Sequence, residues 1–101
     1  MITGFSSPAE GYGEKRLDLN TFLIKHPNAT SFMKIGTNNY KNFGIYCGDL
    51  IIIDRAIKVG KNSLVVYEKE GRFVLGWFGN INIPTVISGV VVHVIHTVRS
   101  I

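Results

Sequence analysis

The sequence predicts a mainly β protein: a single small domain of about five strands with one short helix, preceded by an extended N-terminal arm. Three observations lead there. The chain has 101 residues, 46% of them hydrophobic and 18% charged, which suits one domain with its own core and is too apolar for a disordered chain. Short runs rich in β-branched and aromatic residues recur between Gly and Asn clusters, the pattern of strands and turns. Only one segment carries a helix signal.

Residues 1–16 are rich in Gly, Ser and Glu, show no period and read as the arm; residues 17–101 read as the domain. Asp18 can cap a short helix with Leu19, Phe22 and Leu23 on one face. Lys25 and His26 put positive charge at its C-terminal end, and Pro27 biases His26 out of the helical region, so the helix stops there. Ser31 to Ile35 is a short strand, and Gly36 to Gly48 is a loop rich in Asn and Gly. Leu50 to Ile53 is a continuous apolar run between Asp49 and Asp54, the signature of a strand buried on both faces. Leu64–Tyr67 and Arg72–Phe78 flank Glu68-Lys69-Glu70-Gly71, a hairpin connection in which Gly71 supplies a positive φ. Asn62 tolerates left-handed geometry, so a turn can form ahead of the first of these strands. The last strand, Gly89 to Val98, is apolar on both sides, with Val90, Val92, Val94 and Val98 on one face and Val91, His93 and Ile95 on the other. Such a strand is central or covered by a partner.

Composition excludes several classes. No run of 18 apolar residues occurs, so no membrane span is expected. Met1 to Phe5 lacks the basic and apolar regions of a signal peptide, and a cytoplasmic location is expected. One cysteine, Cys47, allows no internal disulfide and no Cys-based zinc site. The eleven Lys and Arg residues against seven Asp and Glu are scattered, so no sequence-specific nucleic-acid binding is expected. His93 and His96 are spaced H-x-x-H, which on a strand divides them between faces; no metal and no cofactor is expected. Trp77 and Phe78 read as core aromatics, Asp49 and Asp54 as residues bounding a strand, and Cys47 as part of a loop next to Gly48. Asn28-Ala29-Thr30 matches a glycosylation sequon, which has no role in the expected compartment.

Four segments follow one another in a fixed order: Gly4-Phe5-Ser6-Ser7-Pro8-Ala9-Glu10-Gly11-Tyr12, Leu17-Asp18-Leu19-Asn20, Ile24-Lys25-His26-Pro27-Asn28-Ala29-Thr30 and Gly48-Asp49-Leu50-Ile51-Ile52-Ile53-Asp54-Arg55. That order resembles the LexA/UmuD family of self-cleaving serine peptidases, and within it the UmuD-like accessory subunits of error-prone polymerases. The resemblance implies the small β-rich domain of that family. It also implies a Ser-Lys dyad, and here the sequence departs. The Gly-Asp-Ser-Met motif is matched by Thr37-Asn38-Asn39-Tyr40, which places Asn39 at the nucleophile. The lysine after a Gly-Glu-Phe-Thr-Val run is matched by Gly76, after Gly71-Arg72-Phe73-Val74-Leu75. An amide with a delocalised lone pair is no nucleophile, and glycine cannot take a proton. The resemblance further puts the family's cleavage site at Thr3 and Gly4, with three residues before Gly4, so the chain looks like the processed form. Trp77 to Ser88 is shorter than the family's segment there, and part of the usual sheet is expected to be missing.

The expected function is therefore a binding subunit, not an enzyme: a catalytically inactive UmuD-like accessory protein of SOS translesion synthesis. It is expected to form a homodimer through the two-faced strand, with Val90, Val92, Val94 and Ile95 as interface, and to meet an error-prone polymerase subunit or the RecA filament. One alternative is a mimic that forms mixed dimers with an active UmuD or LexA relative and modulates its self-cleavage. Another is an enzyme with a relocated active site.

Overall fold

The computed structural model describes residues 18–82 and 85–100. The expected arm, with Thr3 and Gly4, lies outside them. Asp18 caps helix α1 (Leu19–Leu23), its Oδ1 accepting from the N–H groups of Asn20 at 3.0 Å and Thr21 at 3.4 Å. At the other end Lys25 Nζ donates to the Thr21 carbonyl at 3.1 Å, where a cation is favoured. Pro27 then opens a 3-10 turn, Pro27–Ala29, that leads directly into the first strand.

Five strands form one antiparallel sheet: β1 (Thr30–Lys34), β2 (Leu50–Asp54), β3 (Leu64–Lys69), β4 (Arg72–Trp77) and β5 (Ile87–Ile95). Their order across the sheet is β1-β2-β5-β3-β4. The strand last in sequence is therefore the central one, and β1 and β4 are the edges. β2 lies between β1 and β5, and Ile51, Ile52 and Ile53 are all buried, as an uninterrupted apolar run requires. Ile51 and Ile53 join Ile35, Ile45, Val66 and Leu75 in the main core, with Tyr40, Phe43 and Val91 packed against it. Burial of one such side chain favours the fold by about 1.5–3 kcal/mol.

The sequence reading of β5 needs two corrections. The strand ends at Ile95, and Val98 lies beyond it, 91% exposed. The simple alternation of faces also fails. Ile52 pairs with His93 but Ile53 pairs with Val91, so Val92 is an extra residue in a β-bulge. Opposed residues share a face. Val91 and Val94 therefore lie with Ile53 and Ile51, while Val90, His93 and Ile95 lie with Asp54, Ile52 and Leu50. A second register shift follows at Ser88, between the pairs Val66 with Gly89 and Tyr67 with Ile87. The hairpin of β3 and β4 turns on Glu70 (φ 54°) and Gly71 (φ 77°), two successive left-handed residues as in a type I′ turn. Among the described residues Glu70 is the non-glycine residue at positive φ, so Asn62 does not use the left-handed geometry it tolerates.

Candidate functional site

The excursion between β1 and β2 carries Asn39, and it is closed at its base by two backbone bonds. Ile35 N–H donates to the Asp49 carbonyl at 2.8 Å and Gly48 N–H donates to the Ile35 carbonyl at 2.7 Å. Asn39 is exposed in a turn, its N–H donating to Thr37 Oγ1 at 3.2 Å. The next residue, Tyr40, folds back over edge strand β4. Its hydroxyl accepts the Leu75 N–H at 3.4 Å. Its ring stacks with Phe43 (centroids 6.0 Å apart), and Phe43 meets Trp77 edge-on at 5.6 Å. Gly44, at φ 78°, ends the 3-10 turn Lys41–Phe43 that aims these rings.

Gly76 lies in β4 between Leu75 and Trp77, paired with Val65. Alternation along the strand puts it on the face opposite Leu75 and Trp77. A Cβ at Gly76 would stand 3.2 Å from Cε1 of Tyr67 and 3.5 Å from its hydroxyl, so that ring already covers the space. The structure thus joins the residue after Asn39 to the residue before Gly76. Position 39 supplies an amide, and position 76 supplies only backbone.

Asp49 and Asp54, 1% and 2% exposed, do more than bound β2. Each holds an imidazole. His96 Nδ1 donates to Asp49 Oδ1 at 2.6 Å, and Tyr46 N–H donates to Oδ2 at 2.8 Å. His26 Nδ1 donates to Asp54 Oδ2 at 2.6 Å, and Ala56 N–H donates to Oδ1 at 2.8 Å. Both carboxyls are held below the ordinary carboxylate range, first by the imidazole hydrogen bond, with backbone N–H donors adding to it against the cost of burial. An ionised carboxylate only accepts, which makes each Nδ1 the donor. These pairs pin the ends of β2 to α1's exit on one side and to the chain after β5 on the other.

The sequence reading missed both pairs. An Asp at each end of an apolar run was the available signal, since a carboxylate drawn into a core needs a donor. Choosing the donor required the register: Leu50 opposite Ile95 sets Asp49 beside His96. His93 is elsewhere, opposite Ile52 and 6.4 Å from the Phe22 ring. Cys47 is exposed in a turn, its N–H donating to Asn38 Oδ1 at 3.1 Å. Of the expected interface residues, Val90 is buried within the chain's own sheet, Val92 is half-buried, and Val94 and Ile95 are exposed.

Trp77 departs from the core role expected of it, being 41% exposed. It borders an open pocket of about 640 Å³ lined also by Lys61, Asn62, Gly79 and Asn80. An apolar groove of about 450 Å³ lies against residues of all five strands, with Met33, Ile53, Val66, Phe73 and Ile87 among its walls. Among the described residues no helix is long and apolar enough to cross a membrane.

No family model matches the chain. Protein SamA of Salmonella typhimurium is 39% identical over 72 residues, 71% of this chain and 51% of SamA. Protein ImpA of Escherichia coli is 39% identical over 72 residues, 71% of this chain and 50% of ImpA. Protein MucA of Escherichia coli is 35% identical over 66 residues, 65% of this chain and 45% of MucA. The chain spans about half the length of the curated relatives it matches.

Proposed function

We propose, from the premise that this chain is a UmuD-like member of the LexA/UmuD family, that it serves SOS mutagenesis as a binding subunit that does not cleave. One observation carries the reading: Asn39 and Gly76 stand where the family resemblance puts the nucleophile and the base. A serine peptidase needs a hydroxyl and a proton acceptor within hydrogen-bond reach. An amide and a bare Cα offer neither. The flanking residues agree with a changed purpose, since Tyr40 bonds to β4 and Tyr67 covers Gly76. What the chain keeps is a sheet with exposed apolar surface: Phe32 at one edge strand, Phe73 at the other, and Val94 and Ile95 at the end of β5.

In this reading the chain acts in the cytoplasm as a homodimer and docks on an error-prone polymerase subunit or on the RecA filament. The test combines the purified chain with activated RecA and an active UmuD-like relative and, separately, with an error-prone polymerase subunit. The expected result is an intact chain, unhindered self-cleavage of the relative, and co-elution of the chain with the polymerase subunit. Cleavage of the chain or of a substrate by it, lost on replacing one of its own hydroxyls or its thiol, would overturn the reading. Slowed self-cleavage of the relative would favour a mixed-dimer modulator instead.

A further inference from the structure

We propose that the pocket beside Trp77 binds single-stranded nucleic acid without regard to sequence, one base stacking on the indole and a neighbouring phosphate meeting Lys61. The pocket, about 640 Å³, is of a size that takes a small-molecule-sized group such as a nucleotide. Trp77 is both exposed and braced. It is 41% accessible, and Phe43 meets it edge-on at 5.6 Å with the ring planes at 89°. An aromatic ring held by the protein offers a stacking surface without first having to be ordered.

The other lining residues complete a nucleotide's requirements. Asn62 and Asn80 bring amides that donate to and accept from any base edge. Lys61 brings a positive charge, and it forms no ion pair with a described residue: the ion pairs there are the two His–Asp contacts. It ends a basic stretch. From Ala56 to Ser63 the loop carries Lys58 and Lys61, both exposed, and no acidic residue, whereas Arg55 lines the separate groove beside Met33 and Phe73. Gly79 closes the pocket floor, its N–H donating to the Lys61 carbonyl at 3.0 Å, and an added Cβ would come within 3.1 Å of that oxygen. A neutral sugar would use the indole and the amides but leave the Lys61 charge without a role. A polyanion with π faces uses all three. The inference rests on this pocket alone and holds or fails apart from polymerase docking.

Trp77 is the chain's single tryptophan, so its fluorescence reports directly on the pocket. Titrating the full chain with short oligothymidylate at low salt is expected to quench that emission, and added salt to weaken the binding. Lys61→Gln should weaken binding several-fold and lower the slope of log affinity against log salt by about 1. Read by anisotropy of a labelled oligonucleotide, Trp77→Ala should lose on the order of tenfold. Trp77→Phe, which keeps a ring against Phe43, should retain most of the affinity. Circular dichroism checks each fold, and should Trp77→Ala not fold, the quenching titration and Lys61→Gln carry the decision. The proposal is overturned by no quenching at low salt, by affinity unchanged in Lys61→Gln or in a folded Trp77→Ala, or by quenching with a neutral oligosaccharide and not with oligothymidylate.

Discussion

Gly89 is the most tightly enclosed of the described glycines. A Cβ there would fall 2.4 Å from Ile53 Cγ2 and 3.3 Å from Arg55 Cγ, so no side chain fits without moving β2. Gly89→Ala is expected to destabilise the protein by about 1–3 kcal/mol through overpacking, read as a lower denaturant midpoint with an unchanged slope. The two buried carboxylates make a different prediction. Their folded pKa values lie below the ordinary 3.8. Their stabilising contribution is therefore complete above that value and is lost as pH falls through the folded pKa, because the unfolded chain takes up its protons first. Asp54→Asn should cost stability at neutral pH, and the gap between it and the unaltered chain should narrow below pH 3.8. Equal unfolding midpoints at pH 7 would show that the His26 pair does not stabilise the fold.

At the scale of elements, the β3–β4 hairpin carries the main backbone tension. Glu70 sits at φ 54°, a region that costs an L-residue with a bulky side chain about 1–2 kcal/mol. Type I′ turns favour Asn-Gly and Gly-Gly. Glu70→Asn should raise stability by up to about 1 kcal/mol, visible as a thermal midpoint several degrees higher. Edge strand β4 depends on Tyr40 in another way, since its hydroxyl takes up the Leu75 N–H. Tyr40→Phe keeps the stacking with Phe43 and removes only that acceptor. It should speed hydrogen exchange at Leu75 while leaving Ile52 protected; unchanged exchange at Leu75 would show that the bond does not protect the edge.

The whole molecule is a sheet in which no two neighbours except β1–β2 and β3–β4 are consecutive in sequence. Its stability therefore depends on β5 reaching the centre, with β2 on one side and β3 on the other. That placement bears on association. β5 pairs with β3 only at Ile87, Gly89 and Val90, so toward Ile95 it is paired with β2 alone, and a homodimer through it would use that free edge together with the exposed side chains of Val94 and Ile95. Light scattering at tens of micromolar, an order-of-magnitude choice for a weak dimer, should give twice the chain mass, and Val94→Lys should halve it. A monomer mass for the unaltered chain would remove the dimer.

Local signals carried far along this chain. Asp18 announced a helix start, Pro27 its end, the run Leu50 to Ile53 a buried strand, and Gly71 a tight turn, because each depends on residues a few positions apart. The match of Asn39 and Gly76 to the dyad positions rests on residue order alone. Three things needed the tertiary structure. The bulge at Val92 interrupts the alternation of faces, and only pairing with β2 reveals it. The partners of Asp49 and Asp54 lie 47 and 28 residues away, so they follow from register rather than spacing. Trp77 came out exposed because it ends β4, an edge strand, beyond the core that covers Leu75. Strand order decides what covers a side chain, and strand order is a property of contacts between distant segments that no local pattern encodes.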